Sequence, residues 1–157
     1  MGKGNTKLRD LPVIIESVRC QSPAIKALQN VSLLELPPSE VGQTSHALWQ
    51  CLSQLSVSIA EARIVANSKV IDHLLPRLLP PIDRTYTFNF FYSRNMLSIS
   101  EEVAFSEMYS RLHQVALANR EPILSLVGNG WNTSPTKVID NAIVGYVIER
   151  LHISEQL

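Results

Sequence analysis

The chain lacks the features of a membrane or secreted protein. No apolar run approaches the ~20 residues that a bilayer-spanning helix requires. The N-terminal segment MGKGNTKLRD has no apolar stretch of the signal-peptide type. Charge is also scarce, because only 18% of the 157 residues are charged and the 14 basic residues balance the 14 acidic ones. A neutral chain has no general positive potential for non-specific binding of nucleic acid, so such binding would require a local basic patch.

Cysteine and metal-ligand patterns are almost absent. The two cysteines, Cys20 and Cys51, lie in apolar surroundings and form no CxxC motif. They could form a single disulfide, but we expect two buried free thiols in a reducing cytoplasm. The histidines have no HExxH or other metal-ligand spacing (His46, His73, His113, His152). The chain also has no GxSxG, P-loop or GxGxxG motif. We therefore expect no metal and no cofactor.

What remains is a chain rich enough in apolar residues, at 45%, to form one helical core. No alternating strand pattern and no βαβ rhythm occurs, which predicts an all-α, compact single-domain helical bundle. We expect a flexible tail at residues 1–10 and a single helical domain at residues 11–157.

The helices are predicted from caps, breaks and apolar spacing. Residues 11–18 could form a strand or a first helix, and Ser22-Pro23 favours a helix start. Ser98-Ile99-Ser100-Glu101 has capping-box spacing and opens a helix whose buried stripe is predicted to be Phe105, Met108, Leu112, Val115 and Ala116. Ser134-Pro135 indicates a cap followed by a first-turn proline for the last helix. The predicted segments are residues 22–30, 39–55, 59–65, 67–75, 84–92, 98–119 and 136–151, with residues 121–127 left as a short helix or strand. The last helix is apolar on most of its circumference, which is typical of a central helix or of one that packs on a partner.

Residues 64–92, IVANSKVIDHLLPRLLPPIDRTYTFNFFY, contain the densest group of unusual residue choices. Asn67 or Ser68 can cap a helix with Lys69 in its first turn, and Asp83 can cap the next helix. Between positions 63 and 94, five basic residues and two acidic ones leave a charge of +3 (5 − 2), which indicates a modest basic patch (Arg63, Lys69, Arg77, Arg84, Arg94; Asp72, Asp83).

A short echo links this stretch to the last helix. Ser68-Lys69-Val70-Ile71-Asp72 is repeated as Thr136-Lys137-Val138-Ile139-Asp140. A hydroxyl, an ammonium and free helix N–H groups together would suit a phosphate. Equally, each lysine could pair with the aspartate three residues on. Trp131, beside the turn Gly128-Asn129-Gly130, could stack on a ligand or close one edge of the core.

These residues resemble the helix–hairpin–helix DNA glycosylase superfamily. The similar elements are a hairpin at residues 64–68, a helix at 69–75 and the capping segment Pro80-Pro81-Ile82-Asp83. More closely, SKVIDHLLPRLLPPIDRTYTFNFF and TKVIDNAIVGY look like segments of a group of small bacterial proteins, a resemblance that implies a shared fold and brings no activity with it. Val65-Ala66-Asn67 stand where the superfamily hairpin has its glycines.

Three functional hypotheses follow. The first is binding of nucleic acid or a phosphate-bearing ligand, with Ser68, Lys69, Arg84 and Lys137 near phosphate and Tyr86 or Trp131 stacking. The second is a diverged repair enzyme with Asp83 as catalytic carboxylate and Lys69 as nucleophile, as the superfamily resemblance implies. The third is a helical interaction module or homodimer that buries the last helix.

Overall fold

A computed structural model describes residues 7–155, and their side chains as far as residue 151. Within this range the chain forms seven α-helices, and the sole β contact there is an isolated bridge between Leu8 and Ser58. The all-α prediction is therefore confirmed. The helices are α1 (Leu11–Leu28), α2 (Val41–Gln54), α3 (Ile64–Leu74), α4 (Thr87–Tyr92), α5 (Glu101–Ala118), α6 (Arg120–Leu126) and α7 (Pro135–Glu155), with a 3₁₀ turn at Pro38–Glu40 before α2.

The centre of the bundle is the packing of α2 against α5, the most extensive helix contact in the molecule. Leu48 and Leu52 of α2 are fully buried, as are Phe105 and Leu112 of α5. The rings of Trp49 and Phe105 lie 5.6 Å apart between centroids. The predicted stripe on α5 is confirmed, with only Val115 left partly exposed. Among the described helices, none combines the length and apolar composition needed to cross a bilayer.

Helix α1 is longer than predicted because it continues through Pro23. A proline inside a helix removes one backbone hydrogen bond and normally breaks or kinks the helix. Here apolar residues before and after it, Ile14, Val18 and Ile25, pack against the core, so tertiary contact supports the helix on both sides. The predicted helix start at Ser22 is wrong. Cys20 is exposed on α1 while Cys51 is buried, which corrects the expectation of two buried thiols.

Part of the predicted tail is attached to the domain. The N–H of Arg9 donates to the carbonyl of Val57 at 3.0 Å, and the N–H of Ile59 donates to the carbonyl of Lys7 at 3.0 Å. Positions 1–6 of the predicted tail lie outside the described residues. The segment from residue 59 to 63 is not helical, so the helix predicted over residues 59–65 is wrong except for its last two residues. The segment predicted as a helix or a strand at residues 121–127 is helical, as α6.

The connector between α3 and α4, residues 75–82, is irregular and still belongs to the core. Leu75, Leu78, Leu79 and Ile82 are at most 2% exposed. A buried irregular segment must find hydrogen-bond partners for its backbone outside regular structure. The N–H of Leu33 donates to the Arg77 carbonyl at 2.8 Å. Side chains from α3 and α7 bind its two ends.

Candidate functional site

Helix α3 begins at Ile64, three to four residues before the predicted caps. Its first N–H groups are bound by a carboxylate from another helix. Glu101 accepts the N–H of Arg63 at 2.9 Å and the N–H of Ile64 at 3.4 Å. Residues 64–68 are therefore the first turns of a helix, and the hairpin predicted there is wrong. The helix–hairpin–helix element is not confirmed.

Asn67 is buried inside the bundle and does not cap its own helix. Its side-chain amide donates to the carbonyls of Leu52 and Leu55, each at 2.9 Å. These carbonyls lie at the end of α2, where backbone acceptors have no partner within the helix. Arg63 assists at the same place by donating to the carbonyl of Ser53 at 3.0 Å. Both residues therefore join the start of α3 to the end of α2.

Ser68 is fully buried and binds the connector. Its hydroxyl oxygen accepts the N–H of Ile82 at 3.0 Å and lies 3.2 Å from the carbonyl of Val65 and 3.4 Å from that of Ile82, either of which can accept its proton. Since the side chain has no exposed surface, Ser68 contributes to the site by holding residue 82 beside α3. It presents no atom to a ligand in this structure.

That contact joins the segments that carry Lys69 and Arg84, because Lys69 follows Ser68 and Arg84 lies two residues after Ile82. Both side chains are exposed, and neither forms an ion pair or hydrogen bond with any residue that the structure describes. Lys69 is the sixth residue of α3, so the prediction of a first-turn position is wrong. Among the other basic residues of the predicted patch, Arg77 already forms an ion pair with Glu35 at 3.2 Å. We call Lys69 and Arg84 the basic pair.

Asp83 organises the turn that leads into α4. Its Oδ1 accepts the N–H of Tyr86 at 2.6 Å, and its own N–H donates to Oγ1 of Thr87 at 3.1 Å. This reciprocal pattern resembles a capping box. The helix itself begins at Thr87, three residues later than predicted. No hydrogen bond or ion pair joins Asp83 to Lys69 among the described side chains, so the two residues named for catalysis are not paired.

A cleft of about 420 Å³ has Arg84 of the basic pair in its lining. Its apolar lining comes from Ile64 and Val65 at the start of α3, from Phe88 of α4, and from the loop between α4 and α5. Arg84 lines it together with Glu61 and Glu101. Lys69 follows Val65 by four residues and therefore lies on the same face of α3, one turn further on. We call this the α3–α4 cleft.

The walls of the cleft leave much apolar surface uncovered. Met96 is 71% exposed and Ile99 is 40% exposed, and both are part of the lining. Of the two acidic groups, Glu101 is engaged by the backbone of α3. Glu61 is exposed and has no hydrogen bond or ion pair with the described residues. Sequence reasoning identified Arg84 and missed the cleft, because its lining comes from three separate segments.

The remaining predicted ligand-binding residues lie outside this cleft. Tyr86 is partly buried and packs against the core, and Trp131 is 86% exposed, so it does not close a core edge. Neither lines the α3–α4 cleft. Lys137 is in the first turn of α7 as predicted, and its ammonium pairs with Asp140 at 2.6 Å. The predicted cap on α7 is confirmed, because Ser134 accepts the N–H of Lys137 at 3.1 Å.

The two echo segments meet in the fold. The Thr136 hydroxyl donates to the carbonyl of Pro76 at 2.6 Å, and the Ser68 hydroxyl accepts the N–H of Ile82. The two echo hydroxyls therefore bind opposite ends of the same connector. Asp72 lies close enough to Asp140 and Lys137 for their charges to act on it. Burial and the Asp140 charge raise the pKa of Asp72, and His73 and Lys137 partly oppose that rise. The echo therefore has a structural explanation in this fold.

A second concave surface lies between α6 and α7. This α6–α7 groove has a volume of about 340 Å³ and an almost wholly apolar lining, with Ile123 and Leu126 on one side and Ile139, Ile143 and Tyr146 on the other. Val147 and Ile143 face the core, while Tyr146 is 52% exposed. As far as residue 151, α7 is thus buried along one side, while Tyr146, Ile148 and Leu151 keep between 38% and 52% of their surface exposed.

No cluster of histidine, cysteine and acidic side chains suited to a metal ion occurs within the described part of the chain. Comparison with known protein families, with curated proteins and with solved structures found no match.

Proposed function

We propose that the protein binds a phosphate-bearing ligand, either a nucleic acid or a smaller phosphate ester, at the basic pair. The observation that carries the proposal is that Lys69 and Arg84 are exposed, follow two segments that the contact between Ser68 and Ile82 joins, and have no ion pair with the described residues. Guanidinium and ammonium groups are the usual phosphate-binding side chains, and a guanidinium can bind two phosphate oxygens at once. A neutral chain with one such site favours local binding over general polyanion attraction.

The position of the basic pair supports the proposal. Arg84 belongs to a turn that hydrogen bonds of Asp83 and Thr87 hold in place. Lys69 belongs to α3, and the residue before it, Ser68, is hydrogen-bonded to Ile82 just ahead of that turn. Backbones held in this way lose little further freedom when a ligand binds, which lowers the entropic cost of binding. The proposal assigns no catalytic step to these residues.

The test is binding of a labelled single-stranded oligonucleotide and of tripolyphosphate, measured at several salt concentrations. We expect the wild-type protein to bind at least one probe. The double variant Lys69→Ala/Arg84→Ala should bind it about tenfold more weakly and with a smaller salt dependence, since fewer phosphate charges are neutralised. The matched control is Lys26→Ala/Arg94→Ala, which removes two exposed basic residues that do not line the cleft.

Absence of binding to both probes would contradict the proposal. So would equal loss in the double variant and in the matched control, because that result would reflect total charge and not this site. Binding of tripolyphosphate without the oligonucleotide would identify the ligand as a small phosphate ester, and the reverse would identify a nucleic acid.

We also place the protein in the cytoplasm as part of this proposal. Its support is that Cys20 and Cys51 are both free thiols. Free thiols are typical of proteins in a reducing compartment.

A second candidate function, self-association through α7, is favoured by a separate observation. The α6–α7 groove is apolar, and Tyr146 in its lining is half exposed. On the same side of α7, the small residues Ala142 and Gly145 are exposed. The space beside Gly145 is open, because a Cβ at this position would meet no atom of a neighbouring segment within 4 Å. A second copy could therefore approach α7 closely and place its own Tyr146 in the groove, in a symmetric contact.

Solution scattering over a concentration series tests this candidate. The wild-type protein should form dimers as concentration rises, and Tyr146→Glu should remain monomeric, since a charge in an apolar interface is costly to desolvate. Gly145→Leu, which fills the open space without adding charge, should also weaken the dimer. A wild-type protein that stays monomeric at high concentration would exclude self-association.

A further inference from the structure

The lining of the α3–α4 cleft indicates what kind of molecule carries the phosphate. The cleft adjoins Arg84, and most of its wall is aliphatic, supplied by α3 and by the loop that contains Met96 and Ile99. Its volume of about 420 Å³ falls within the range of roughly 300–1,000 Å³ that is typical of small-molecule sites. A bare phosphate would use the guanidinium and leave this apolar space to water.

We infer that the ligand is an amphiphilic phosphate ester whose aliphatic group enters the α3–α4 cleft while its phosphate binds Arg84 and Lys69. The inference rests on the proposed function and narrows it to one ligand class. Apolar surface gains free energy when it leaves water, and Met96 and Ile99 offer such surface without a protein partner to cover it fully. Phosphate at Arg84 keeps the charged end at the rim, in contact with solvent.

The acidic residues of the cleft are compatible with this arrangement. The carboxylate of Glu101 accepts two backbone N–H groups at the start of α3, where the helix dipole favours negative charge. Its charge is therefore partly offset. Glu61 has no such partner among the described residues, so it should repel an anion that approaches Arg84. Removal of the Glu61 charge should therefore strengthen phosphate binding, whereas loss of Arg84 should weaken it.

The experiment compares inorganic phosphate with ethyl, butyl and hexyl phosphate by nuclear magnetic resonance titration of the whole protein. We expect affinity to increase with chain length, by about fourfold for each methylene that becomes buried, until the cleft is full. Arg84→Ala should weaken all four ligands by a similar factor. Glu61→Gln should strengthen all four, whereas Arg94→Ala, outside the cleft, should change none.

A variant that fills the cleft separates the contribution of the aliphatic group to binding from that of the phosphate. Ala62 lines the cleft and is partly exposed, so Ala62→Phe should occupy its volume without disturbing the core. We expect this variant to bind inorganic phosphate like the wild type and to lose the gain from chain length. Circular dichroism and the melting temperature establish that each variant is folded.

Each of the following outcomes would overturn the inference for a different reason. Equal affinity for inorganic and hexyl phosphate, both dependent on Arg84, would refute the aliphatic group and leave the proposed function standing. Hexanol binding as tightly as hexyl phosphate would show an apolar site that does not use the basic pair. Adenosine monophosphate binding more tightly than hexyl phosphate would replace the aliphatic group with an aromatic one. Failure of all these small phosphates while the oligonucleotide still binds would refute the inference alone, and failure of the oligonucleotide and tripolyphosphate as well would refute the proposed function itself.

Discussion

The hydroxyl of Ser68 accepts the backbone N–H of Ile82 at 3.0 Å, inside the core. This one contact ties the middle of α3 to the end of an irregular connector whose leucines are fully buried. It also joins the segments that carry the exposed residues Lys69 and Arg84. The residue that looked like a phosphate ligand is thus a structural support for the two residues that remain candidates.

Replacing Ser68 by alanine should destabilise the protein without removing any surface group. The N–H of Ile82 would lose its partner in a buried position, at a cost of about 1–3 kcal/mol in the free energy of unfolding. Urea denaturation measures this change. Lys69→Ala, one residue away and exposed, should alter stability by no more than about 0.5 kcal/mol. Equal effects of the two substitutions would contradict the assigned roles.

Asp83→Ala should behave as the loss of a cap. Removal of the acceptor for the Tyr86 N–H should cost about 1 kcal/mol, the usual value for a capping residue. Asp83→Asn keeps a side-chain oxygen and should recover most of the stability. If Asp83 were instead a catalytic carboxylate, as the repair-enzyme hypothesis holds, both variants would lose activity on damaged DNA and the asparagine variant would keep normal stability.

Asp72→Asn should stabilise the protein at neutral pH. Burial raises the pKa of Asp72 in the folded state above its ordinary value of 3.8, and the Asp140 charge adds to the rise. An ionised group whose folded pKa is raised lowers stability at neutral pH, and this penalty disappears as the pH falls through the folded and then the ordinary pKa.

Chemical denaturation of wild type and Asp72→Asn between pH 7 and pH 3 measures the effect. The advantage of the variant should be largest at pH 7 and should vanish near pH 3. Glu149→Gln, an exposed acidic residue of α7, serves as the control and should show no comparable trend. A variant that is less stable than wild type at pH 7 would mean that attraction between Asp72 and Lys137 outweighs desolvation.

The two cysteines should differ sharply in reactivity. Cys20 is exposed, whereas burial raises the pKa of the Cys51 thiol to about 11. The thiolate is the reactive form, so Cys51 should be inert at neutral pH. A thiol reagent should label one cysteine in the native protein and two after denaturation, as counted by mass spectrometry. Loss of all rapid labelling in Cys20→Ser identifies the reactive position.

The features that were predicted correctly depend on residues near one another in sequence. The cap of α5 is local in this way, since Ser100 accepts the N–H of Val103 at 3.3 Å. The capping box predicted from Ser98 to Glu101 is nevertheless wrong, because Glu101 binds the start of α3. Ser134 caps α7 in the same local manner. The apolar spacing of α5 identifies its buried face because a helix repeats every 3.6 residues, whatever surrounds it.

The features that were missed depend on distant residues. The start of α3 is bound by Glu101, which lies 37 residues after Ile64 in the chain, so no local cap marks it. Asn67 could be read as a cap for its own helix, yet it serves the end of α2. By local rules Pro23 should end a helix. Helix α1 nevertheless continues past it, because apolar residues on both sides of the proline pack against the core.

The sequence by itself determined that this chain is helical, and it determined the cap before α7 and the buried stripe of α5, because backbone geometry and apolar spacing act over a few residues. Only the tertiary structure decided which of two adjacent polar residues is buried. Ser68 lies inside the core and Lys69 lies on the surface. A helix turns by about 100° per residue, so neighbours face different surroundings, and what surrounds them is set by segments far away in the chain.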